Sequence, residues 1–218
     1  ALRELGLRHI LNLMYLYGLK GSGLFQKFVQ VRPLMASIKV TEACNSKCIT
    51  CTLAQKKQDP EELTQSEITD LLKQLMDLGC RYVRFTGGEP LLRRDLPALI
   101  QAARELGFQR RILASNGLLL SKRAKELEGI TDLSVSLDGL QTANDAIRGV
   151  KGGYRRTLAG IQKCKKKHPG LKLEIATTLL GRNLGDVEGL IQLCADVQAT
   201  WFVNLFDTNP YFFQGIEP

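Results

Sequence analysis

The sequence predicts an α/β fold of six parallel strands, each followed by a helix or loop that carries the chain back across the sheet. Three observations lead there. Short runs of strand character recur through residues 36–206, and stretches with helical periodicity separate them. Strands interleaved with amphipathic helices pair in parallel through right-handed crossovers. The residue groups with evident chemistry also follow directly on the first four strands, where the reactive loops of α/β barrels gather. Six units are too few to close an eight-stranded barrel.

Residues 1–35 stand apart as a helical extension, rich in Leu2, Leu5, Leu7, Ile10, Leu11, Leu13, Met14 and Leu16 but carrying Arg3, Arg8 and His9. The stretch is too short, and too charged at its start, to span a bilayer. No small-x-small cleavage pattern follows it. Packing against the following domain or a partner is expected. The alternative is peripheral contact of residues 1–30 with a membrane surface, with Lys20 and Lys27 near the headgroups.

The main domain, residues 36–218, opens with a strand over 36–41, in which Ser37, Lys39 and Thr41 alternate with Ile38 and Val40. Thr64-x-x-Glu67 is a capping box for a helix with the stripe Ile68, Leu71, Leu72, Leu75 and Met76, which Gly79 ends. Strand two covers 81–86. Asp95 is placed to cap a helix that has Pro97 in its first turn and Leu99, Ile100 and Ala103 facing inward. Strand three covers 112–114, a short helix begins near Ser121, and strand four covers 133–137. A helix over 154–167 stops at Pro169-Gly170, and strand five covers 171–179. Asp186 then caps a helix with the stripe Val187, Leu190, Ile191 and Cys194 before strand six at 201–206.

With 218 residues and 44% hydrophobic content, the chain can bury one substantial core. Of its six cysteines, Cys80, Cys164 and Cys194 are far apart in apolar stretches and read as buried free thiols, which suits a reducing cytoplasm. The net charge of +8 peaks in Lys163-Cys164-Lys165-Lys166-Lys167-His168 at a helix end, where cations complement the macrodipole. Docking of an acidic electron donor there is the functional alternative. Aromatic residues are too scattered for a base-stacking platform, so no nucleic-acid partner is expected.

The other cysteines form Cys44-x-x-x-Cys48-x-x-Cys51 just after strand one. This spacing lets one loop turn three thiolates to a common point. A structural zinc site takes four ligands, as does a closed cubane cluster. A 4Fe-4S cluster on these three would keep one iron open to an outside ligand.

This pattern resembles the signature of the radical S-adenosylmethionine (SAM) enzymes. Gly87-Gly88-Glu89-Pro90 stands where that family carries its Gly-Gly-Glu motif. Ser115-Asn116-Gly117 and Ser136-Leu137-Asp138-Gly139 follow as in the branch of molybdenum-cofactor and SPASM-type peptide-maturing enzymes. The resemblance covers roughly residues 36–206 and implies a partial (β/α)6 barrel, open on one side. It implies that Cys44, Cys48 and Cys51 hold a 4Fe-4S cluster whose open iron is chelated by SAM. An electron then cleaves SAM to a 5′-deoxyadenosyl radical, which takes hydrogen from a small-molecule or peptide substrate. The electron would come from a donor such as flavodoxin or ferredoxin.

By the same resemblance, Gly87, Gly88, Glu89 and Pro90 meet the methionine end of SAM, with Glu89 adding a charged contact or orienting the loop. Ser115, Asn116 and Ser136 meet its ribose or carboxylate. Arg148 bridges to Asp138, in preference to contacting substrate, in a segment that also holds Asn144 and Asp145, while the role of Asn183 stays open. One residue departs from the pattern. The family usually has an aromatic residue before the third cysteine, packed on the adenine; here it is Thr50, so that contact falls to Ile49 or a later loop. No serine, cysteine or histidine nucleophile constellation is present. Two non-catalytic alternatives remain: a zinc site completed by Cys80 or His168, and a silent scaffold with this fold. Many members carry a further cysteine-rich domain after strand six, which this chain either lacks or continues into beyond Pro218.

Overall fold

A computed structural model describes residues 32–53 and 61–206. The predicted extension lies outside the described residues except for 32–35, as does everything after Phe206. The strands are β1 (Met35–Thr41), β2 (Tyr82–Gly87), β3 (Arg110–Ser115), β4 (Asp132–Ser136), β5 (Lys172–Leu179) and β6 (Ala199–Leu205). Between them run the helices α1 (Gln65–Asp77), α2 (Leu96–Glu105), α3 (Leu120–Arg123), α4 (Gln141–Arg148), α5 (Gly153–Lys167) and α6 (Val187–Asp196). All six strands pair in parallel, in sequence order from β1 to β6. The two outer strands are not joined to each other, so the sheet is open.

The period-two pattern sorts the strands into two faces. Ile38, Val40, Val83, Phe85, Leu113, Leu133, Val135, Leu173 and Ile175 are buried against Ile68, Leu72, Leu99, Ile100, Ala103, Ile161 and Cys164 of the helices. The alternate residues, among them Arg84, Thr86, Ser134, Ser136 and Glu174, form the inner face. The capping box of α1 is present, with Thr64 Oγ1 accepting from Glu67 N at 3.3 Å and Glu67 Oε2 accepting from Thr64 N at 2.8 Å. Gly79 ends that turn at φ +101°.

Several expectations are corrected. Helix α4 was not foreseen; it is an eight-residue helix whose apolar contribution is small. Asp95 and Asp186 precede their helices, but neither side chain caps one. Asp95 forms a two-pronged ion pair with Arg93, both contacts at 2.7 Å, and Asp186 Oδ2 accepts from Leu140 N at 2.7 Å. A charged partner or an uncovered amide from another loop outcompetes the local cap. Ile191 faces outward, 53% exposed, although Leu190 and Cys194 are buried. Cys80, Cys164 and Cys194 are buried free thiols, and burial pushes Cys164 up to about 11.

Candidate metal centre

The cysteine loop leaves β1 and is gripped from three sides. At its entry, Glu62 Oε1 accepts from Thr41 Oγ1 at 2.8 Å and from Glu42 N at 2.7 Å. From the middle of the sheet, Asn116 Nδ2 donates to Asn45 Oδ1 at 2.6 Å and to Ser46 Oγ at 3.1 Å, and lies 3.9 Å from Cys44 Sγ. From the far side, the end of α4 accepts Lys47 N at the Arg148 carbonyl (3.2 Å) and Ile49 N at the Ile147 carbonyl (2.9 Å). Arg148 Nη1 stands 3.9 Å from Cys48 Sγ.

Cys44, Cys48 and Cys51 are free, half-buried thiols opening on one cavity of about 220 Å³. Gly87, Gly88, Ser115, Asn116 and Ser136 line the same cavity, so the structure brings together eight of the ten predicted site residues. Burial pushes the Cys48 thiol up, and the Arg148 guanidinium opposes that shift. The three thiols are not gathered at metal-ligand spacing among the described residues. The donor set nonetheless suits an iron–sulfur cluster, since three sulfurs share one wall of a cavity with room beyond them.

The glycine pair seats two loops together. A Cβ on Gly88 would stand 2.3 Å from the Ala43 carbonyl oxygen and 2.6 Å from that of Glu42. Gly88 N donates to the Thr41 carbonyl and Glu89 N to that of Ala43, both at 2.8 Å. Any side chain at Gly88 would part the loops.

Glu89 and Pro90 do not line the cavity; of the two roles expected for Glu89, a charged contact or orienting the loop, its bonds fit the second. Glu89 is fully buried. Its Oε1 accepts from Ser115 Oγ at 2.9 Å and Leu91 N at 3.0 Å, and its Oε2 from Asn116 N at 2.7 Å. Burial raises its pKa, while these hydrogen bonds and Arg148 pull it down. The carboxylate thus orients the two cavity residues Ser115 and Asn116.

Asp138 and Arg148 form the expected bridge, at 2.8 Å, with Asp138 almost wholly buried. Arg148 lines the cavity, and its buried Nε has no hydrogen-bond partner among the described residues. Sequence reasoning favoured the bridging role for Arg148 over substrate contact; its approach to Cys48 depends on α4, which carried no clear signal. Asn183 is a staple, donating to the Asp138 and Thr178 carbonyls at 2.8 Å each. Thr50 and Leu53 line the cavity, whereas Ile49 does not. Cys80 and His168 lie elsewhere: Cys80 in the core and His168 bonded to the Ala124 carbonyl at 2.7 Å. Neither can complete a zinc site with the three cysteines.

The lysine run lies away from the cysteine loop. It ends α5 and so lies beside the amino end of β5, whereas the cysteines lie past the carboxyl end of β1. An eight-residue strand separates the two ends of the sheet by roughly 26 Å. Among the described residues, no helix is long and apolar enough to cross a membrane.

Comparison with known proteins accords with this arrangement. The profile of the radical SAM superfamily matches residues 38–194. The chain is 35% identical over 158 residues to Fe-coproporphyrin III synthase of Methanosarcina barkeri, covering 71% of this chain and 39% of the relative. It is 36% identical over 163 residues to pre-heme d1 synthase of Dinoroseobacter shibae, covering 72% and 39%. It is 34% identical over 160 residues to a probable GTP 3′,8-cyclase of Archaeoglobus fulgidus, covering 71% and 52%. The chain therefore spans only about two-fifths to one-half of these relatives. Among solved structures, Streptococcus suis SuiB bound to S-adenosylmethionine superposes with a TM-score of 0.70 at 22% identity, over 83% of this chain and 42% of that one. That likeness identifies the open six-stranded sheet as a partial barrel. The chain belongs to the radical SAM superfamily, whose enzymes work with a 4Fe-4S cluster and S-adenosylmethionine.

Proposed function

We propose that Cys44, Cys48 and Cys51 hold the 4Fe-4S cluster and that SAM binds beside it, in an enzyme acting on a carboxylated cofactor precursor of the tetrapyrrole kind. The observation that carries the cofactor reading is the single cavity shared by the three thiols with Gly88, Ser115, Asn116 and Ser136. The substrate reading draws on the names of the relatives, several of which are heme or related synthases. When bound, the two cofactors supply reductive cleavage of the sulfur–carbon bond of SAM and thereby a carbon radical that takes hydrogen from the substrate.

The chain supplies position and charge. Gly88 allows the Gly-Gly loop to close on the cysteine loop. Asn116 holds the turn at Asn45 and Ser46, and Glu89 fixes Asn116 and the Ser115 hydroxyl. Arg148, oriented by Asp138, places a cation beside Cys48 and keeps its free Nε–H for an anionic group such as the SAM carboxylate. Thr50 and Leu53 form the wall available to the adenine. A flavodoxin or ferredoxin would approach the cysteine mouth, and an oxygen-sensitive cluster suits the cytoplasm. A peptide substrate is the second reading, prompted by the fold shared with SuiB, which has been solved with its precursor peptide SuiA.

Anaerobic reconstitution followed by incubation with SAM and dithionite tests the proposal. Wild-type chain should form 5′-deoxyadenosine, measured by mass spectrometry, and the Cys44→Ala, Cys48→Ala, Cys51→Ala triple variant should form none. A loaded wild type that yields no product would return the chain to the silent scaffold.

A further inference from the structure

The inner face of the sheet carries charges where a packed barrel interior has branched apolar side chains. Arg84 on β2, Ser134 on β4 and Glu174 on β5 form a row across it. Arg84 Nη2 donates to Ser134 Oγ at 3.3 Å, and Ser134 Oγ donates to Glu174 Oε1 at 2.6 Å. Ser134 is buried at 2% exposure, while Arg84 and Glu174 are half-buried. Because side chains alternate along a strand, Arg84 shares its face with Thr86, and Ser134 shares its face with Ser136. Thr86 and Ser136 line the cysteine cavity, so the row lies one step beneath it, towards the amino ends of the strands.

The hydrogen bonding assigns a direction to this row. The single hydroxyl proton of Ser134 goes to the Glu174 carboxylate, which leaves the oxygen to accept from Arg84. Arg84 is thereby held across β3 through one N–H. Among the described residues its side chain has no other hydrogen bond and no ion pair, and Glu174 has no ion pair either. A guanidinium has five N–H donors in a planar fork, so at least one pair remains available for a bidentate acceptor. A half-buried cation kept in this state costs desolvation that an apolar residue would avoid.

We propose that Arg84 is the anchor for a substrate carboxylate, with Ser134 and Glu174 holding the guanidinium in position beneath the cofactor cavity. This rests on the reading of the chain as an enzyme of carboxylated cofactor precursors, and it adds the residue that selects for the acid group. Lys39 stands on the same face beside Thr86, paired with Glu42 in an exposed ion pair at 3.3 Å, and adds positive potential at that edge. Glu174 opposes an incoming anion. The affinity is therefore set by Arg84 against Glu174.

The test is a titration of the cluster-loaded full chain with a metal-free porphyrin bearing four carboxylates, followed by the shift of its main absorption band. The same porphyrin with its acids converted to neutral amides serves as the second probe. Arg84→Gln should weaken binding of the acid probe by at least about tenfold, the loss expected for a charged hydrogen-bonded pair, and leave the amide probe unchanged. Arg84→Lys should recover part of the loss. Glu174→Gln should bind the acid probe no less tightly than wild type, because an anion beside Arg84 has been removed.

Equal acid binding by wild type and a folded Arg84→Gln variant would overturn the anchor. Loosening of equal size in Arg84→Gln and Glu174→Gln would show that the row only supports the sheet, and would also overturn it. A wild type that binds neither probe removes the ligand class. Failure of the enzyme reading is seen separately, as absence of 5′-deoxyadenosine.

Discussion

The carboxylate of Glu89 is wholly buried, yet three donors converge on it, and two of them belong to Ser115 and Asn116 at the cavity wall. Its charge is held one step back from the cysteine cavity. Burial is the largest influence on its pKa and raises it above the ordinary carboxylate value. An acid whose folded pKa is raised stabilises the fold below its unfolded pKa, and that contribution is lost as pH rises through the folded value. In urea titrations of the metal-free chain, wild type should therefore gain stability relative to Glu89→Gln as the pH is lowered from 8 to 5. A difference between the two that does not vary with pH would refute this account. Gly88 acts by lacking a side chain, since a Cβ there would meet two carbonyl oxygens of the cysteine loop.

Helix α4 connects the cysteine loop to the rest of the molecule. Its last carbonyls bind Lys47 N and Ile49 N, and its Asp145 caps α5 by accepting from Gly152 N at 2.6 Å and Tyr154 N at 2.8 Å. Gly149 ends α4 in the left-handed region at φ +64°, and a Cβ there would stand 2.6 Å from the Lys47 carbonyl oxygen. Gly149→Ala should cost about 1–2 kcal/mol for the left-handed backbone alone. It should also displace the cysteine loop, so that the reconstituted variant holds fewer iron atoms per chain by metal analysis. Normal iron content with only a lowered Tm would show that α4 does not shape the loop.

Across the whole molecule, the sheet keeps its two ends and its two faces distinct. The cysteine cavity occupies the carboxyl ends of the strands, while the lysine run lies at the amino end of β5. Lys165 also serves structurally there, donating to the Val197 carbonyl at 2.5 Å. Neutralising Lys163, Lys166 and Lys167 to Gln should leave the rate of cluster reduction by flavodoxin unchanged at fixed ionic strength. A large fall in stopped-flow reduction would instead make that end a donor site. Of the two faces, one is an apolar core and the other a polar surface that ends in the cavity.

Much of this was legible in the sequence because its causes are local. Alternation and helical stripes located all six strands, the capping box marked the start of α1, and cysteine spacing with Gly87-Gly88 indicated the cavity. Helix α4 was not legible, because its stability comes from contacts with the cysteine loop and α5 rather than from an apolar stripe. The true bonds of Asp95 and Asp186 were hidden for a similar reason, since each is decided by a partner outside its own helix. The inner row was hidden too. Arg84, Ser134 and Glu174 are 50 and 40 residues apart along the chain. The sequence by itself determined the six strands, their order and the three cysteines of the loop, which depend on neighbouring residues. Only the tertiary structure decided that Glu89 lies behind the cavity, that Arg148 reaches Cys48 and that the lysines lie at the opposite end of the sheet, because each depends on strand register and on which loops the sheet brings together.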